Sequence, residues 1–89
     1  MSASTPAEVI QLLEQFSNET DDGSLFAKGL SDRLDALSSE IAARLEGSAT
    51  GGGVVSAAIQ IEAEDMKDIA IHLSDAANRM RDRIQIVSN

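Results

Sequence analysis

The sequence predicts an all-α fold, an antiparallel two-helix hairpin with a long C-terminal helix and a short, mobile N-terminal helical segment ahead of it. Three observations carry this. From Ala58 onward, Ile59, Ala63, Met66, Ala70, Leu73, Ala77, Met80, Ile84 and Val87 recur in steps of three and four, which makes one apolar stripe on a helix. Upstream, Phe26, Leu30, Leu34, Leu37, Ile41 and Leu45 repeat the pattern. Between them lies Ser48-Ala49-Thr50-Gly51-Gly52-Gly53, a flexible stretch without a side-chain anchor. Two striped helices across a short Gly-rich loop fold back on each other.

Each element has local support. Thr5-Pro6-Ala7-Glu8 reads as a helix start, with Thr5 as cap, Pro6 at the first helical position and Glu8 closing a capping box. Val9, Leu12, Leu13 and Phe16 give this segment a short apolar face, and at that length an isolated helix is unstable. Asn18 to Ser24 reads as a polar turn. Residues 1–22 carry five acidic groups and no basic one, so this segment is expected to be mobile or loosely docked. The hairpin is then expected over 23–89, with a helix at about 25–46, Gly47 as its C-cap, a loop over 47–53 and a second helix at about 54–87. The second helix passes from acidic (Glu62, Glu64, Asp65, Asp68) to basic (Arg79, Arg81, Arg83). Complementing the helix dipole would account for that order, and so would a staggered contact between subunits.

Composition narrows the function. At 89 residues the chain is one domain whose core would be marginal as a monomer. It has two Phe, no Trp or Tyr, one Pro and no Cys, so a disulfide framework and thiolate chemistry are excluded. A net charge of −8 argues against nucleic acid or an anionic membrane as partner. No apolar run reaches the roughly 18 residues of a membrane span, and the N-terminus does not read as a cleaved signal peptide.

No catalytic, cofactor-binding or metal site is expected. His72 is the single histidine, and its helical neighbours Asp68 and Asp75 make a thin ligand set. The acidic cluster from Glu62 to Asp68 lacks the Glu-x-x-His pairs of a di-metal bundle. Gly51-Gly52-Gly53 lacks the Lys-Ser/Thr of a phosphate loop. What stands out instead is a second apolar set, Ile61, Ile71 and Ile86, roughly 140–160° from the main stripe. A two-helix protein cannot cover it, so other subunits are expected to.

Gln60, Ser74 and Asp82 fall within an arc of roughly 80° on the last helix, ahead of Ile84 and the apolar end Ile86-Val87. This resembles the C-terminal helix of type III secretion needle subunits, with Arg81-Asp82 as the family's basic–acidic pair. Asp21-Asp22-Gly23 followed by Gly29 is similar to the start of the first needle helix in some members. The chain departs from the family in carrying Gly51-Gly52-Gly53 where a Pro-containing turn is usual, and Asp68, Ile69 and Ile71 where aromatic residues are common.

The resemblance implies a structural subunit that polymerises through its C-terminal helix into a hollow extracellular needle. Its contacts would be Gln60, Ile61, Ile71, Ser74, Arg81, Asp82, Ile84, Ile86 and Val87, with Gly51, Gly52 and Gly53 as the hairpin loop. Its partners would be further copies of itself, secretion chaperones and the secretion apparatus, without nucleic acid or membrane insertion. It would be cytoplasmic before export and leave without a cleaved signal. The nearest rival is a secreted helical hairpin of the WXG type, which works as a closed dimer; the defining Trp-x-Gly is missing here. A small helical secretion chaperone or adaptor is the third reading.

Overall fold

The computed structural model describes residues 5–46 and 51–88. Two helices make up the fold, α1 (Pro6–Arg44) and α2 (Gly52–Ser88), with no strand among the described residues. They pack side by side in a body of 66 × 22 × 16 Å. The antiparallel sense is visible in the cross-links: Ser24, Ser31 and Ser38 of α1 meet Ala70, Ala63 and Ser56 of α2, in reverse order.

The start of α1 is the capping box the sequence predicts. The Glu8 N–H donates to the Thr5 hydroxyl at 3.2 Å, and the Thr5 N–H donates to the Glu8 carboxylate at 3.3 Å. Pro6 follows, where its missing N–H costs nothing. Thr5→Ala should therefore lower stability by about 1 kcal/mol, read as a shift in the urea midpoint. A change under about 0.3 kcal/mol would mean that the first turn frays without consequence.

Beyond this start the structure corrects the expected division of the chain. Asn18 to Ser24 is not a turn: α1 runs through it unbroken for 39 residues. Residues 5–22 are therefore part of the hairpin, and only 1–4 of the segment expected to be mobile lie outside the described residues. Tertiary contact explains why poor helix formers stay helical here. The Ser24 hydroxyl donates to the Ala70 carbonyl at 2.6 Å, Asp21 pairs with Arg81, and Gly23 lies over Leu73. Packing of this kind outweighs propensity.

The ends shift by smaller amounts. α1 stops at Arg44 with Leu45 as its cap, rather than at Glu46 before Gly47. Gly47 and the rest of 47–50 lie outside the described residues. Gly51 has φ +81°, and its carbonyl accepts from the N–H groups of Val54 and Val55. Gly52 and Gly53, expected in the loop, form the first turn of α2. Neither an acidic group in the first turn of α2 nor a basic group in its last is present. The charge order along α2 therefore sits too far from the ends to complement the dipole.

The seam between the helices is a strict seven-residue repeat of small side chains. On α1 these are Ser17, Ser24, Ser31 and Ser38; on α2 they are Ser56, Ala63, Ala70 and Ala77. All are buried except Ser24 and Ser56, which are half-buried. Ser24, Ser31 and Ser38 each donate to a backbone carbonyl across the seam, at 2.6, 2.8 and 2.9 Å. Ser56 returns a bond to the Ser38 carbonyl at 3.1 Å. Ser17 turns to its own helix and donates to the Glu14 carbonyl. A carbonyl that is already bonded within its helix has a second lone pair for such a donor. The reach works because small side chains let the two backbones approach.

The expected α2 stripe is confirmed, with Ala63, Ala70 and Ala77 buried and Ile59, Met66, Leu73, Met80, Ile84 and Val87 half-buried beside them. The expected α1 stripe is corrected. Leu30, Leu34 and Ile41 are half-buried, but Phe26, Leu37 and Leu45 are exposed.

Candidate functional site

With the small residues inward, the hairpin has two unlike sides. In antiparallel helices that share a seven-residue seam, corresponding positions on either side of the seam face each other. Residues one and four after each seam position lie on one side. Those one before and two after lie on the other.

The first side is polar and holds a groove of about 390 Å³. Ser24, Ser31 and Ala70 form its floor; Lys28, Asp32, Asp35, Glu64 and Lys67 form its rim, with Leu25, Ile71 and Ser74. Asp21 and Arg81 pair on the same side, each about 40 % exposed, so solvent screens the pair and its worth is small.

The second side is apolar along both helices. It carries Leu12, Phe16, Phe26 and Leu37 from α1 and Val55, Ile69 and Ile86 from α2, all exposed. Phe26 keeps 64 % of its surface in water and Ile86 keeps 74 %. The charged residues of this side are Glu19, Glu40, Glu62 and Asp65 against Arg33, Arg44, Arg79 and Arg83. They cancel, so the entire net charge of −8 lies elsewhere on the molecule.

The residues singled out in the sequence are divided by this arrangement. Gln60, Ser74 and Arg81 come together on the groove side; Gln60 is exposed, and Ser74 and Arg81 are half-buried. Asp82 is exposed beside them. Ile84 and Val87 belong to the seam and are half-buried. Ile61, Ile71 and Ile86 are exposed, as expected, but they do not form one face. Ile71 lines the groove, Ile61 lines a second hollow on the same side with Asp35, Gln60 and Glu64, and Ile86 falls on the apolar side. A wheel drawn at 3.6 residues per turn drifts by about 20° per heptad against a seven-residue seam, which over the span from Ile61 to Ile86 separates them.

Periodicity puts Phe26 and Leu37 on the inward stripe of α1, whereas both are exposed on the apolar side. The signal that finds it is the seven-residue spacing of Ser17, Ser24, Ser31 and Ser38.

Among the described residues no group of His, Asp or Glu is placed to hold a metal ion, and no helix is long and apolar enough to cross a membrane. Comparison with known proteins finds no family model, no curated protein and no solved structure that matches this chain.

Proposed function

We propose that this chain is a non-catalytic structural subunit that works by assembling with further copies of itself through helix faces. One observation carries the reading: the fully buried side chains are all small, while both phenylalanines and many large aliphatic side chains remain exposed. The accessible surface is 6411 Å², against roughly 5000 Å² for a compact monomer of this size. An excess of that order is comparable with the roughly 800 Å² that each partner buries in a standard interface.

Two assemblies follow. A closed pair of hairpins, as in WXG-type secreted dimers, is favoured by two unbroken helices of matched length, 39 and 37 residues. An open filament, as in a type III secretion needle, is favoured by a different observation. Leu25, Ile61 and Ile71 are exposed away from the apolar side, and a pair closed on that side would leave them uncovered. Contacts that repeat without closing give filaments. In both readings the chain works outside the cell.

Sizing the purified full chain over a concentration series, with negative-stain microscopy of the largest species, tests the proposal. A concentration-independent dimer supports the closed pair. Thin filaments that vanish on truncation after Arg83 support the needle. A monomer at every concentration up to about 1 mM, a value at the weak end of specific association, overturns both.

A further inference from the structure

Resting on the self-assembly reading, the geometry points to the side bearing Phe16, Phe26, Leu37, Ile69 and Ile86 as the face that a second copy of this chain covers, leaving the groove side outward. Charge selects the occupant. Each copy carries −8, so a random approach of two copies is repulsive. This side has four acidic and four basic groups and no net charge. The rest of the surface holds all of the excess acidity, so a strongly charged partner would be drawn there instead. A neutral apolar face with both signs at its edges is what a self-complementary interface needs.

The levels along the hairpin agree. The seam bonds set Ser24 opposite Ala70 and Ser31 opposite Ala63. Phe26 therefore lies level with Ile69, and Arg33 with Glu62. Rotating one copy by half a turn about the hairpin's long axis lays α1 over the α2 of its mate. Phe26 then meets Ile69, Leu37 comes within a turn of Val55, and Arg33 meets Glu62. Neither Arg33 nor Glu62 has an ion-pair partner within its own chain among the described residues. The face runs along a body 66 Å long, which gives room for a standard interface.

The test compares two double variants of equal burden by analytical ultracentrifugation of the full chain. Phe26→Glu with Ile69→Glu puts two carboxylates on the proposed face; Leu25→Glu with Ile71→Glu puts two on the groove side. All four positions are exposed, so far-ultraviolet dichroism should show helicity close to that of the wild type. If the first pair does lose helicity, Phe26→Ala with Ile69→Ala is read in its place.

The expected result is association weakened at least 100-fold by the first pair, about 2.8 kcal/mol, and by less than about threefold by the second. The inference is overturned if the groove-side pair dissociates the assembly while the Phe26/Ile69 pair leaves it intact, or if both leave it intact. In those cases self-assembly itself stands. A wild-type chain that is monomeric throughout removes the self-assembly reading and this inference with it.

Discussion

Gly23→Pro should destabilise the hairpin by about 3 kcal/mol and remove a large part of its helical signal. Gly23 lies in the interior of α1, at the middle of the segment whose composition reads as a turn. Proline there removes an intrahelical hydrogen bond, and its ring clashes with the carbonyl one turn back. The damage would spread, because Asp21 and Ser24 hold α2 through Arg81 and the Ala70 carbonyl. Gly23→Ala is the matched control. A Cβ at this position would lie 3.5 Å from the Leu73 side chain, an ordinary contact, so alanine should stabilise by up to about 1 kcal/mol. Thermal melts followed by circular dichroism decide the matter. If proline is tolerated as well as alanine, α1 is broken between Asn18 and Ser24.

Ala63→Leu carries the other large effect, a loss of about 3 kcal/mol or more. Ala63 is 1 % exposed, and its carbonyl accepts the Ser31 hydroxyl at 2.8 Å. A leucine at this point has no space between the helices, and overpacking alone costs about 1–3 kcal/mol. Pushing the backbones apart also leaves buried Ser31 without its partner, a further cost of about 1–3 kcal/mol. Ser24 and Ser38 lie one repeat away on either side and depend on the same separation. Ala58→Leu is the comparison, since Ala58 is exposed on the same helix and should change stability by less than about 0.5 kcal/mol. Urea unfolding of both variants measures the difference. Equal midpoints would mean that the seam is loose enough to take the larger leucine side chain.

The α2 stripe was legible because its large and small apolar residues alternate along one line, so periodicity alone points the helix inward. On α1 the same rule points to Phe26, Leu37 and Leu45, which the structure leaves in water. Apart from Ala27, the fully buried residues of α1 are serines, and a serine counts as polar until an acceptor is placed beside it. Of the polar residues expected within one arc, Gln60, Ser74 and Asp82, the first two lie on the groove side and Asp82 is exposed beside them. Their neighbours across the seam, Asp21 and the groove-lining residues of α1, depend on a register set by the seam bonds.

The sequence by itself determined that the chain is helical, where α1 is capped, that two helices turn back across a glycine-rich link, and which line of α2 faces its partner. These follow from rules acting within a few residues: propensity, capping, and apolar spacing. Only the tertiary structure decided that α1 is continuous through Asn18–Ser24, that serines are buried at the seam, and that Phe16, Phe26, Leu37, Ile69 and Ile86 are exposed on the neutral side. The physical reason is shared. A buried hydroxyl and a helix through poor helix formers are both unfavourable alone, and both become favourable once a second helix is close enough to supply the carbonyl and the contact.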